Sequence, residues 1–295
     1  MLTNTARATT PTYIKTTAFV GHDTTNANRI TFTSVEDLGG GLKFTGRFDQ
    51  RTNPQGGFRT TGDMFAQVEG GFGTVKVGQY TFASHAGYNA GAANTVSALS
   101  TTAQSLSGQV AAYTTPTFAG FSASAAMDLE RSENTVGKDG WGLKFNYATG
   151  PVTAQLSYTV APKLATTDVA SRVTGLGVIY DLGVAKVYYN QTDTRAGVTG
   201  AAAGTTTAIR GTTDNLARKG VALSVAIPVG AATLKAGFMN NKGDTTVTVV
   251  DRAMAGVDYA LSKRTNLIAE FGQDKQAVTG ANRATNSFVG IAHSF

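Results

Sequence analysis

No cysteine occurs in the chain, so disulfide scaffolds, thiolate metal sites and thiol nucleophiles are excluded from the outset. That absence is compatible with an oxidising cell envelope. Charge is also sparse: Asp, Glu, Lys and Arg make up 15% of the residues, against about 25% in ordinary soluble proteins. Long hydrophobic runs are missing. The best stretch, Val221 to Leu234, is interrupted by Ser224, Pro228 and Gly230, and a spanning helix needs roughly 20 apolar residues in a row. A helical membrane protein is therefore excluded. Proline is scarce and no Pro-rich or acidic tract marks a linker, so the chain reads as one domain over residues 12–295 behind a polar N-terminal segment, 1–11. That segment is Thr-rich and lacks the charged start and apolar core of a signal peptide, which reads as a mature or trimmed chain.

Other absences narrow the function. The formal net charge is +6, yet Lys and Arg are scattered singly with no basic run, so no nucleic-acid partner is expected. His22, His85 and His293 lie far apart, and no HExxH, nucleophile elbow or phosphate-binding glycine loop is present. Asp128 and Glu130 lie two apart on one strand face, but in open water neither carboxylate is desolvated enough to be tuned for catalysis. The expectation is no enzyme, no cofactor and no metal.

What fills the chain is period-2 alternation. Val152, Ala154, Leu156, Tyr158 and Val160 alternate with Thr153, Gln155, Ser157 and Thr159. Ile30 and Phe32 stand against Arg29, Thr31 and Thr33; Leu143, Phe145 and Tyr147 against Lys144 and Asn146. Neighbouring residues of a strand point to opposite faces, so this pattern means a sheet between two different solvents. Connections alternate too. Short ones fall at Asp37–Gly41, Gly70–Gly73, Thr117–Gly120, Thr149–Pro151, Asp181–Gly183, Pro228–Gly230 and Ser262–Arg264. Longer polar stretches lie between them, such as Arg51–Gly62, Ser132–Asp139 and Thr194–Ala217. Both sets are rich in Gly, Asn, Asp and Pro, which tight reversals require.

Counting through these turns gives about sixteen strands of around nine to thirteen residues, the length a tilted strand needs to cross a bilayer. A closed barrel pairs every backbone group, as lipid demands. A ring that wide cannot be filled by side chains, so the polar set must line water and the apolar set must face lipid. The fold expected is an all-β transmembrane antiparallel β-barrel. Alternating strands with Gly-rich turns also describe soluble β-sandwiches, β-helices and adhesins, so the pattern alone leaves those open.

Four segments carry a resemblance to a known family. Ser34-Val-Glu-Asp-Leu-Gly-Gly-Gly-Leu42, within Arg29–Phe48, is similar to the first hairpin of β-proteobacterial general porins. Gly70-Gly-Phe-Gly-Thr-Val-Lys-Val-Gly78 resembles their next periplasmic turn, and Tyr113-Thr-Thr-Pro-Thr-Phe-Ala-Gly120 their element after loop 3. The end, Val289-Gly-Ile-Ala-His-Ser-Phe295, resembles the family's terminus. The resemblance implies a sixteen-stranded barrel in the cell outer membrane, a homotrimer, and a third loop folded into the lumen. It also implies a general-diffusion channel for small hydrophilic solutes and inorganic ions. Phe295 would anchor the last strand in outer-membrane lipid and be read by the barrel-assembly machinery.

Selectivity in such a pore comes from its width and from the charges at its narrowest point. Alternation places Arg29, Lys43, Arg47, Lys76, Lys144, Lys186 and Lys235 on the lumen side, with Asp49, Asp63, Glu69, Asp128, Asp258 and Glu270. The basic set slightly predominates, so a weak anion preference is expected, with Arg29 and Arg47 at the constriction. Loop 3 is expected over Phe82–Gly108; it holds His85 and Tyr88 but no Asp, Glu, Lys or Arg. Where the family offers an arginine pair this chain has Gly62 and Asp63, and Ala292 stands where the family has a lumenal arginine. Tyr80, Tyr113, Tyr180 and Tyr188 are candidates for inward rings. Ala18, Phe19, Phe288 and Ile291 are candidates for a trimer contact on the lipid face. The competing reading is a surface-exposed structural or adhesive barrel that binds partners through its loops.

Overall fold

The computed structural model describes residues 2–8, 13–18, 29–51, 63–83, 88–90, 99, 107–129, 140–160, 168–198, 218–243, 251–275 and 281–293. Seventeen strands and no helix run through them. Two are short: β1 (Leu2–Ala8) and β2 (Tyr13–Ala18). Then come β3 (Arg29–Gly39), β4 (Leu42–Arg51), β5 (Met64–Gly70), β6 (Gly73–Thr81), β7 (Ser107–Thr114) and β8 (Phe121–Asp128). They are followed by β9 (Trp141–Thr149), β10 (Val152–Val160), β11 (Asp168–Asp181), β12 (Lys186–Val198) and β13 (Arg218–Val229). The last four are β14 (Ala232–Gly243), β15 (Asp251–Ser262), β16 (Thr265–Lys275) and β17 (Ala281–His293).

From β3 to β17 every strand pairs antiparallel with the next, and β17 pairs on its other edge with β1, which pairs with β2. The first and last strands thus meet, while among the described residues no pairing joins β2 to β3. Leu2–Ala8, inside the segment set apart as 1–11, belongs to this sheet.

The short turns fall where the glycines do. Gly39, Gly40 and Gly41 all have positive φ between β3 and β4, and the Asp37 carboxylate accepts the Gly39 N–H at 2.9 Å. Asp181 repeats the device on the Gly183 N–H at 2.8 Å. At Gly120 the need is steric as well, because φ is +83° and a Cβ would meet the Ala148 carbonyl at 2.9 Å.

The two faces of the sheet invert the pattern of a soluble protein. Large apolar side chains are exposed, Phe32 at 65%, Leu156 at 47% and Ile291 at 69%. The buried positions are polar instead: Asn190 is 1% exposed and Thr159 3%, with Gln155, Ser157, Thr192, Thr194 and Ser224 alongside. Apolar groups left outward in water over so large an area would drive aggregation, whereas lipid accepts them. Aromatic pairs bracket the outward band. Phe121 and Tyr147, 4.5 Å apart, stand at the short-turn ends of β8 and β9; Trp141 and Tyr158, 5.6 Å apart, stand at the long-loop ends of β9 and β10. Trp141 and Tyr147 are six strand positions apart, roughly 20 Å along the strand, or about 15 Å of height at the usual tilt, which lies within a barrel's apolar belt.

Candidate functional site

The inner face is defined by what packs on it. Phe82 and Ala83, just past β6, are buried with Tyr80, Val110 and Ala126, against Phe65 and Ala112. Further along, the Ala90 N–H donates to Ser224 Oγ of β13 at 2.7 Å, and Leu99 is buried among Ala222, Met239 and Met254 of β13–β15. The described residues after β6 therefore lie on the inner face, Phe82 and Ala83 near β6 and Ala90 and Leu99 against β13–β15. Burial pushes the Tyr88 phenol in this segment above its ordinary pKa, so it stays neutral.

Charged side chains occupy this inner face in distinct groups. At the root of the inner segment, the Lys76 ammonium lies 3.6 Å from the Phe65 ring centre and 4.1 Å from that of Tyr80. Lys144 of β9 sits 5.1 Å from the Phe82 ring centre and donates to the Phe82 carbonyl at 3.5 Å. Among the described residues no carboxylate lies within ion-pair distance of either lysine. Asp63, Lys144 and Arg47 are the charges that act on Lys76 electrostatically. Ring faces attract the ammonium without neutralising it, so the positive charge of this group remains available.

Elsewhere several bases are paired. Arg47 Nη2 lies 3.7 Å from the buried Asp49 carboxylate, which also accepts a hydrogen bond from the Thr31 hydroxyl at 3.2 Å. Lys43 pairs with Glu69 beside the short turns, and Lys186 with Asp181 at 3.2 Å in the same kind of place. Both pairs are exposed at the mouth rather than inside the lumen. Lys235 is buried between Asp258 at 2.5 Å and Glu270 at 3.7 Å. Arg252 grips Asp274 with two hydrogen bonds, Nε to Oδ1 at 2.5 Å and Nη2 to Oδ2 at 2.7 Å, and Asn286 adds a third at 3.2 Å. Among the described residues no group of three His, Asp or Glu side chains is placed to hold a metal ion.

The expected site residues thus separate. Arg47, Lys76, Lys144 and Asp63 share one electrostatic neighbourhood, in which Asp63 is the charge acting most strongly on Lys76. Lys43 and Lys186 stand at the mouth, and Lys235 stands on β14 beside carboxylates. The Arg29 backbone pairs opposite Arg51 in β3, but its side chain, His85 and Phe295 lie outside the described residues.

Several inner residues escaped sequence reasoning. Phe65 and Phe82 line the lysines; Phe65 is in phase with Gln67 and Glu69, which is the signal that finds it. Arg252 and Asp274 are also inner residues. Three expectations need correcting. Tyr113 is exposed on the outer face, its hydroxyl donating to the Phe72 carbonyl at 2.6 Å. Tyr180 lies outward in phase with Leu176, opposite outward Val152. Phe288 lies inward, opposite buried Glu270 and in phase with Asn286, while Val289 and Ile291 take the lipid face.

Comparison with known proteins bears on the same architecture. A family model described as Gram-negative porin matches residues 6–278. A search of curated protein sequences found no match. Among solved structures, the anion-selective porin from Comamonas acidovorans superposes with a TM-score of 0.73 at 19% identity, covering 100% of this chain and 98% of that one. OmpF from Salmonella typhi, in complex with daunomycin, gives 0.69 at 13% identity over 99% and 95% of the chains. A loop L8 deletion mutant of OmpT from Vibrio cholerae gives 0.66 at 15%, over 99% and 96%. At these identities the likeness is one of fold.

Proposed function

The chain belongs to the Gram-negative porin family, and from that premise we propose that its pore discriminates weakly, favouring anions through a positive patch at the root of the inner loop. As a porin it is a β-barrel of the cell outer membrane that lets small hydrophilic solutes and ions diffuse through its lumen. The observation that carries the preference is the placement of Lys76 and Lys144 on aromatic rings and a carbonyl rather than on carboxylates. Lys43, Lys186 and Lys235 are each balanced by an acid within 4 Å and add little net field. The inner segment contributes no charge to oppose the patch, since no Asp, Glu, Lys or Arg occurs between Lys76 and Asp128. A solute at the patch meets a positive wall facing a neutral loop, which favours anions without excluding cations. The same reading takes the working form as a homotrimer in outer-membrane lipid, delivered through the barrel-assembly machinery by the terminal Phe295, and assigns no catalytic role.

The test is a reversal potential across a planar bilayer under a salt gradient. Lys76→Glu and Lys144→Glu should each move the anion-to-cation permeability ratio toward cations by roughly 2- to 5-fold. Lys186→Glu, at the mouth, should move it far less. Equal shifts from all three would place the selectivity outside the patch and end this reading.

A further inference from the structure

The inner loop carries no Asp, Glu, Lys or Arg from Phe82 to Gly108, so ion pairs through those residue types do not hold it to the barrel. Its buried side chains lie instead over wall glycines. A Cβ on Gly142 of β9 would come within 3.1 Å of the Phe82 ring and 3.0 Å of Thr159 Cγ2. A Cβ on Gly177 of β11 would run into the Tyr88 ring, 2.6 Å from Cδ2. A Cβ on Gly237 of β14 would overlap Leu99 Cδ1 and press on Ser224 Cβ at 2.6 Å. Leu99 is fully buried there, and the Ser224 hydroxyl holds the Ala90 N–H. Glycine inside a strand forgoes packing and order, and its recurrent use is to let another group approach the backbone closely.

We infer that the inner loop is mounted on the wall by three side chains seated in glycine notches, Phe82 on Gly142, Tyr88 on Gly177 and Leu99 on Gly237. This mount fixes the open cross-section of the pore. The inference rests on the channel reading above and adds to it the residues that position the constriction. Leu99 and Tyr88 are positioning residues: they hold the loop against β9–β15 and leave the lumen in front of Arg47 and Lys76 open. A methyl group added at the floor pushes the knob toward the lumen, and a truncated knob lets the loop settle back or move.

Gly237→Ala, Leu99→Ala and the double variant form the test. Gly237→Ala should lower single-channel conductance by roughly 20–50%, because Leu99 and the loop are displaced inward. Leu99→Ala should raise the conductance or the size of neutral polymer admitted. The double variant, with a smaller knob over a filled notch, should return toward wild type. A Gly237→Ala channel that conducts as wild type, or a double variant no closer to wild type than Gly237→Ala alone, overturns the mount. If Gly237→Ala fails to fold, Tyr88→Ala, which removes atoms and clashes with nothing, carries the test: raised or flickering conductance supports the mount and an unchanged trace overturns it. The same three variants read by unfolding midpoint need no conduction. Coupling between positions 99 and 237 there supports the mount even if the barrel is silent in the bilayer, so the two readings fail separately.

Discussion

An arginine in place of Leu156 should destabilise the barrel by about 2–4 kcal/mol, the cost of a guanidinium at the bilayer midplane. Leu156 sits near the middle of β10 on the outer face, in one cross-strand row with Phe145 of β9 and Leu176 of β11. It lies between the aromatic pairs that mark the two membrane boundaries, so the guanidinium replaces an apolar group that faces lipid. The neighbouring inner face supplies the contrast. Thr153, exposed on the lumen side of the same strand, should accept arginine with little loss of stability, since its side chain meets water. Urea unfolding of lipid-reconstituted protein measures both. The single tryptophan, Trp141, stands in the outer aromatic pair and reports loss of the lipid environment through its fluorescence. Equal costs at positions 156 and 153 would mean that the two faces do not meet different solvents.

Replacing Arg252 with leucine should cost about 3–5 kcal/mol, the penalty for removing one partner from a buried ion pair. Asp274 is 3% exposed and takes two hydrogen bonds from that guanidinium. Without it the carboxylate keeps the Asn286 amide but loses its countercharge. Asp274→Leu in the same background should restore most of the loss, because two apolar groups leave no buried charge behind. A double-variant cycle isolates the coupling. Should the two single costs simply add, the pair is solvated in the lumen and carries no special weight.

How much of this was legible in the sequence depends on how far apart the determining residues lie. Strands and short turns were legible because both signals are local. Thr153, Gln155, Ser157 and Thr159 alternate with apolar neighbours without a break, and each short turn carries its own Gly, Asp or Pro. The strand count came close, about sixteen against seventeen, with the short strands β1 and β2 at the N-terminal end. Face assignment failed where the local pattern is ambiguous. Tyr180 follows Ile179, Tyr113 follows Ala111 and Ala112, and Phe288 opens the apolar run Phe288–Ile291; none of these stretches fixes which residue points inward. Only pairing with β10, β8 and β16 settles them. The inward loop was expected from family resemblance, but its seats on Gly142, Gly177 and Gly237 join positions far apart in the chain, and no local pattern reports such contacts. The pairing of Lys235 with Asp258 and Glu270 spans three strands and was invisible for the same reason.

The central claim is that this barrel is an open, weakly anion-favouring channel. It is tested most directly by adding purified, folded wild-type protein to a planar bilayer under a salt gradient and recording current and reversal potential together. Ohmic openings are expected, grouped in threes for a trimeric working form, with a small reversal potential of anion-selective sign. A folded protein that inserts yet passes no current would contradict it, and the reading of a surface barrel acting through its loops would then take its place.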